Sequence, residues 1–402
     1  VRSLLLLGLV ACAPVRPPAV SAPRDATRYY TIWLGGARVG TAIERETWTA
    51  AGMHLQRDEQ LRFARGDAEV ELATTIDIDA DAALAARKVR WVERAGAQTR
   101  AAEAVRDHDG WSVSTGAHLA AAAVPAELVP LIVRRDGAFA GAVFLPARGF
   151  VAGTGRIEPV APGRLVARLE LEGTRVEATI DLDGEGLAAR VVDGEGVIAI
   201  RASETQAHAA FPIADLIAAT ALPLTGQRAH RVVLDGELAL PPLPGQAARP
   251  TAAGVEVELS PALPGALPAG PPGRDRRADI TALVAAVRGR ITPDLGAPPA
   301  RDPLHATAGD CTTFALAYAA LAAHRGIPTR VVTGLRIDGE RLVRHRWAVS
   351  WTGRAWIAVD AAFGAAPAGG DLIGLALHDA DDAGLVAGEA ALTRVHAASW
   401  AR

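Results

Sequence analysis

Three residues in the last quarter of the chain have the types and settings that nucleophilic catalysis requires: Cys311, His345 and Asp360. Cys311 stands in Gly309-Asp310-Cys311-Thr312-Thr313-Phe314. Asp310 is a good N-cap there, and Phe314, Ala317, Tyr318 and Leu321 follow at helical spacing. Gly326 and then Pro328 close that helix. A sulfur in the first turn of a helix meets unpaired N–H groups and the positive end of the dipole, which favour an anion. The same N–H groups are placed to stabilise an oxyanion beside the sulfur. On this feature alone, a small buried hydrophobe and a nucleophile are equal readings of Cys311.

The next segment separates the two readings. Residues 329–337 read as a strand, and Asp338-Gly339 as a hairpin turn. A second strand over 342–351 carries His345-Arg346-Trp347, and Thr352-Gly353 reads as a two-residue turn into a third strand over 355–360. That turn sets Trp351 opposite Arg354, and so His345 directly opposite Asp360. The two side chains then share a sheet face with Cβ atoms ~5 Å apart. A carboxylate in that position fixes the imidazole tautomer through one ring nitrogen and leaves the other to take the thiol proton. This is the arrangement of nucleophile, base and orienting group. Arg344 and Arg346 are candidates to hold an anionic substrate group, with a solvated strand edge as the plainer reading. Trp347 is a further substrate-binding candidate, but Trp347 and Trp356 read first as core and shielding residues.

Gly-Asp-Cys at a helix start, Gly326-Ile327-Pro328-Thr329-Arg330, the His345-x-Trp347 pair and Trp356-x-x-x-Asp360 together resemble the transglutaminase-like superfamily. The resemblance covers about residues 276–375. It implies a papain-like core with Cys311 as nucleophile, His345 as general base and acid, and Asp360 as orienting residue. Many relatives follow the Asp with Pro-Thr, where this chain has Ala361-Ala362-Phe363. The implied reaction is attack of the Cys311 thiolate on an amide or peptide carbonyl, giving a thioester that water or an amine resolves. The reading is therefore an exported thiol-dependent acyltransferase or hydrolase. An inactive scaffold lipoprotein with the same core is the competing class. A metal site built from the same three residues has no C-x-x-C partner. No EF-hand loop is visible, and Asp379, Asp381 and Asp382 read as a solvated turn. No cofactor is expected.

The elements that must position these residues occupy a 402-residue chain that is 50% hydrophobic and 22% charged, which excludes a largely disordered protein. With 42 basic and 45 acidic residues interspersed and a net charge of −3, no basic face points to nucleic acid. A short apolar run, Leu4 to Val10, precedes Ala11-Cys12 and resembles a bacterial lipobox. By that resemblance Cys12 receives a lipid, and the protein is exported to the cell envelope and held at a membrane. In a diderm cell it would sit at the outer membrane or face the periplasm. Its other expected partner is a peptide or protein amide substrate.

The expected division is a signal and tether over 1–24, then an antiparallel β-rich domain over 25–210. A small β module with a Pro-rich linker follows over 211–275, and a transglutaminase-like domain over 276–402. The fold class is α+β. Within the first domain Gly35-Gly36 reads as a two-residue hairpin turn, and a helix is expected near 126–133. The proline stretches at 240–244 and 261–272 read as a rigid spacer, or alternatively as docking sites for other proteins. Asp279 is the expected N-cap of a helix burying Ile280, Leu283, Val284 and Val287, which Gly289 should end.

Overall fold

A computed structural model describes residues 25–171, 174–193, 196–297 and 302–401. Cys12 and the segment read as a lipoprotein signal lie outside them.

The N-terminal region is one 15-stranded sheet. Its outward run consists of β1 (Ala26–Leu34), β2 (Ala37–Thr49), β3 (Gly52–Arg65), β4 (Ala68–Ala80), β5 (Ala86–Ala95), β6 (Gln98–Arg106), β7 (Trp111–Val113) and β8 (His118–Leu119). After β9 (Val124–Pro125) and helix α1 (Val129–Asp136) the chain returns. The return run is β10 (Phe139–Leu145), β11 (Val151–Ala161), β12 (Arg164–Leu171), β13 (Thr174–Leu182), β14 (Ala188–Val192) and β15 (Ile198–Ala202). Pairing of β15 with β1 joins the two meanders, so the spatial order is β8 through β1, then β15 through β9. Neighbours are antiparallel except the short β9–β10 pair. Gly35 and Gly36 form the expected two-residue turn, with φ of +58° and +78° that an L side chain resists.

Period-two alternation gives each strand one inward face. The sheet curls until those faces meet. Trp111 of β7 lies edge-on to Phe144 of β10, with ring centres 5.1 Å apart, and its indole donates to Ala123 O at 3.0 Å. The expected helix near 126–133 is the α1 region; its Leu131 is buried in this core, and its Val129 and Val133 are buried against Val143, Ile157, Leu165 and Ile180 of the return strands.

Beyond the sheet come two short helices, α2 (Glu204–His208) and α3 (Leu216–Thr220), then β16 (Leu222–Thr225), β17 (Arg231–Asp235), β18 (Gln246–Thr251) and β19 (Gly254–Leu259). Next are α4 (Arg277–Arg290), the short pair β20 (Thr292–Pro293) and β21 (Ala308–Gly309), and α5 (Cys311–His324). The chain then forms β22 (Thr329–Asp338), β23 (Arg341–Trp351), β24 (Trp356–Val359), β25 (Leu372–His378), α6 (Asp382–Leu392) and β26 (Ala397–Trp400). The strands of 211–275 pair directly with those that follow. One sheet runs β18-β19-β17-β26-β16-β23-β22-β25, with β24 paired on β23. The architecture is α+β.

Helices α4 and α5 pack on each other, and α5 packs on β22 and β23. Ile280, Leu283, Val284 and Val287 are buried as expected, against Phe314, Ala317 and Tyr318. Each such side chain withdrawn from water contributes about 1.5–3 kcal/mol. Two expected boundaries move. The N-cap of α4 is Arg276, not Asp279, and Asp279 instead occupies the first turn and pairs with Arg274 at 2.6 Å. The helix also runs through Gly289 to Arg290, because tertiary packing outweighs the roughly 1 kcal/mol propensity deficit of one glycine. Tyr318 Oη meets Ser350 Oγ of β23 at 2.9 Å and so ties α5 to the sheet.

Helix α6 lies on β22 and β25, and its approach depends on a glycine. A Cβ at Gly388 would lie 2.3 Å from Thr333 Oγ1 and 2.8 Å from Thr333 Cβ. Alanine would ordinarily strengthen a helix interior by about 1 kcal/mol. Here overpacking reverses the sign: Gly388→Ala is expected to destabilise by about 1–3 kcal/mol, as measured by denaturant unfolding. A variant as stable as wild type or more so would show that the helix is not held this close.

Candidate active site

Helix α5 begins with Asp310 as its N-cap. Asp310 Oδ1 accepts from Thr312 N at 2.9 Å and Thr313 N at 3.2 Å. Gly309 lets the chain enter this turn, since a Cβ there would lie 2.3 Å from Thr313 Oγ1. The other oxygen, Oδ2, accepts from Arg65 Nη2 at 2.5 Å. Arg65 sits at the tip of the β3–β4 hairpin, so the N-terminal sheet reaches the start of α5. Burial pushes the Asp310 carboxyl up, but the Arg65 guanidinium, the Thr313 N–H and Arg346 outweigh it and hold it below the ordinary carboxylate range. Cys311 follows as a half-buried free thiol. The expectation that the first-turn N–H groups surround the sulfur needs correction. Asp310 takes those of Thr312 and Thr313, and the Cys311 N–H is the one this cap does not use.

His345 and Asp360 are brought together, but by a different register from the expected one. Trp351 pairs with Trp356, not with Arg354, and the turn spans four residues, 352–355. The Thr352 hydroxyl explains the longer loop. It donates to Ala355 O at 2.8 Å and accepts from Ala355 N at 3.0 Å, while Thr352 N bonds Ala355 O at 2.9 Å. The proline-rich stretch fixes the result. Trp351 Nε1 donates to Pro271 O at 2.7 Å and Trp356 Nε1 to Pro268 O at 2.8 Å. The hairpin from β22 to β23 is likewise shifted: Asp338 is the last paired residue, and Gly339-Glu340 form the loop.

His345 and Asp360 are therefore displaced by two residues from direct opposition. An even displacement keeps both side chains on one sheet face. His345 Nε2 and Asp360 Oδ2 are 2.8 Å apart, in residues only 6% and 3% exposed. Asp360 Oδ1 accepts from Ala362 N at 3.1 Å and Phe363 N at 3.2 Å, so the turn after β24 holds the carboxylate in place. With Nε2 on Asp360, the other ring nitrogen is the one left for Cys311, whose thiol lies close enough to raise the ring's basicity. Burial pulls the imidazolium down, but the hydrogen bond to Asp360, the nearby Cys311 thiol and the charges of both outweigh it, raising the His345 pKa to about 9. The ring is stacked with Trp347 at 5.9 Å between centres and meets the edge of Phe363 at 5.5 Å. Arg336 lies over Phe363, 3.5 Å from its ring centre.

Arg346 is neither a solvated edge nor open to an anion. It is 7% exposed, and its three nitrogens donate to Thr333 Oγ1, Thr312 Oγ1 and Glu389 Oε1 at 2.9, 2.8 and 2.9 Å. Arg346 thus ties β23 to Thr312 in the first turn of α5, the residue after Cys311. Arg344 is half-buried and paired with Glu389 at 3.2 Å. Trp347 is buried, as a shielding residue should be. The polar chain continues inward, because Thr333 Oγ1 also meets His378 Nε2 at 2.8 Å while His378 Nδ1 donates to Asp379 O at 2.7 Å. Burial, with Arg346 and Arg330 nearby, lowers the His378 pKa to about 4, so this ring stays neutral. Of the acidic stretch near the C-terminus, Asp381 caps α6 through Gly384 N at 2.7 Å.

Sequence reasoning missed Arg65, Phe363 and Glu389. Arg65 lies 245 residues from its partner and carries no local signal. Glu389 had one, as a lone charge in the otherwise apolar run Leu385-Val386-Ala387-Gly388-Glu389-Ala390-Ala391-Leu392. Phe363 stands where the resemblance departs from its relatives, and that departure was the available signal.

Residues 273–361 match the family model of the transglutaminase-like superfamily, a span that contains Cys311, His345 and Asp360. The C-terminal region thus carries a transglutaminase-like domain. No curated protein matches the chain significantly. Among solved structures it is similar to a DUF1089-family protein of Pseudomonas aeruginosa, at 16% identity and a TM-score of 0.28, over 37% of this chain and 87% of that one.

A raised folded-state pKa adds stability that is complete below the unfolded histidine value of about 6.5. That stability is lost as pH climbs through about 9, the folded value for His345. NMR titration of the His345 ring should give a midpoint near 9 in wild type and a clearly lower one in Asp360→Asn. Equal midpoints would remove Asp360 as the cause.

Proposed function

We propose that the transglutaminase-like domain is a cysteine-dependent acyltransferase or hydrolase acting on amide or peptide bonds. The observation that carries this reading is the buried His345–Asp360 hydrogen bond, with the Cys311 thiol near enough to the same imidazole to perturb it. A proton shared between thiol and ring yields thiolate and imidazolium, and the carboxylate stabilises the imidazolium. The thiolate attacks the carbonyl carbon, and the electron pair of the C=O bond moves to oxygen. The Cys311 N–H is the donor at hand for that oxyanion. As the tetrahedral intermediate collapses, the C–N bond breaks and His345 delivers its proton to the departing nitrogen. An acyl thioester on Cys311 and a neutral imidazole remain. His345 then takes a proton from the acceptor as it attacks the thioester, and the thiolate leaves. Water as acceptor gives a carboxylate, and a primary amine gives a new amide.

Trp347 and Phe363 flank the ring and restrict water around it, which strengthens the charge pair. The lipobox resemblance around Cys12 extends the proposal to an envelope-anchored enzyme whose substrates lie outside the cytoplasm.

Profiling glutamine-containing and peptidoglycan-type peptides with and without an added primary amine, read by product mass, tests the reading and selects the acceptor. Wild type should form a product and a transient acyl-enzyme. Cys311→Ala should form neither, and Asp360→Asn should lose about 10²–10⁴-fold in kcat. Turnover that survives in Cys311→Ala would overturn the assignment.

A further inference from the structure

The curled N-terminal sheet forms an open-mouthed cavity of about 1650 Å³, far from Cys311 in the chain and lined by residues of 25–216. Typical small-molecule pockets measure about 300–1,000 Å³, and close-packed interiors leave few voids larger than a water molecule. The lining is amphipathic along the strand direction. One cross-strand row is charged, with Arg28 of β1 opposite Glu44 of β2 and Glu44 opposite Arg57 of β3. Four residues along β1, about 13 Å away at strand rise, the row through Ile32, Leu61 and Leu72 is apolar. Ile157, Leu165 and Ile180 line the cavity from the return strands and form an apolar cluster.

The polar end is incompletely satisfied. Arg28 is only 3% exposed and bonds Glu44 and Glu46, yet among the described residues its Nη1 has no hydrogen-bond partner. Arg201 lies across β1–β15 opposite Tyr30, two residues from Arg28 on the same face, and its Nη1 is also buried without a partner. Two guanidinium donors without partners at the wall of one cavity are costly unless acceptor oxygens, from water or from a ligand, reach them. Glu127 Oε2 lines the same cavity without a partner, and burial raises that carboxyl to about 7, so it can donate as well as accept.

We infer that this cavity binds a long-chain acyl amphiphile, with its hydrocarbon against the Ile32–Leu61–Leu72 row and the return strands and its oxygen-bearing head on Arg28 and Arg201. The site is separate from the thiol chemistry and stands or falls without it.

Binding of oleate, monoolein and oleylamine to the full-length protein, measured by calorimetry and by displacement of a fluorescent fatty acid, tests the inference. The first two carry acceptor oxygens, as a carboxylate and as a neutral glycerol ester, and the third carries none. Oleate or monoolein should bind one per chain, with oleylamine excluded, and the stronger of the two identifies the head chemistry. Arg201→Gln should weaken binding about tenfold or more, and Leu165→Trp, which narrows the apolar end, should weaken it as well. Unchanged far-ultraviolet circular dichroism and thermal midpoint certify folding in each variant, and Cys311→Ala should bind as wild type does. No binding of either oxygen-headed ligand, equal uptake of oleylamine, or affinity unaltered in both folded cavity variants would overturn the inference. Binding that appears only after removal of residues 1–24 would also overturn it, by assigning the cavity to the chain's own N-terminal segment.

Discussion

The hydrogen bond between His345 Nε2 and Asp360 Oδ2 joins two groups that folding has almost wholly withdrawn from water. Either charge alone would be expensive in that setting. Together they are tolerable because the carboxylate has its second oxygen on two backbone N–H groups and the imidazole has a proton to share. Burial and pairing therefore pull His345 in opposite directions, and pairing prevails. A ring that holds its proton well above neutrality can keep a neighbouring sulfur anionic and can return the proton to a departing nitrogen.

That pair is held from a distance. The register of β23 on β24 is set at the far end of the hairpin, where two indoles dock on the carbonyls of a proline-rich segment. The start of α5 is fixed by Asp310, whose outer oxygen is held by an arginine of the other sheet. Arg346 fastens Thr312 to β23 and is itself fastened by Glu389 of α6, a helix that approaches only because Gly388 has no side chain. The positions of sulfur, ring and carboxylate thus depend on elements from both sheets and from the chain between them.

Local signals were readable and non-local ones were not. The Asp310 cap and the stripes of α4 and α5 follow from spacing and side-chain chemistry, and the structure contains them with shifted ends. The glycine pair after β1 makes the turn that its backbone freedom suggests. The turn at 352–355 is longer than the expected one because Thr-Gly alone is compatible with two loop lengths. The longer one is chosen by a hydroxyl and by tryptophan contacts to residues 80 and 88 positions away. The alternating strands of 25–210 announced an antiparallel β region. Their union into a single curled sheet around a cavity depends on the β1–β15 pairing, which no short-range pattern encodes.

Whether sulfur, ring and carboxylate act as one unit is tested most directly by alkylation of Cys311 with iodoacetamide from pH 5 to 10. Wild type should alkylate readily at pH 6–7, where a free thiol with a pKa of about 8.5 is sluggish. His345→Ala should slow that reaction about tenfold or more, with the fold intact. Identical rates in the two proteins across the range would mean that the imidazole does not activate the thiol, and would contradict a shared catalytic centre.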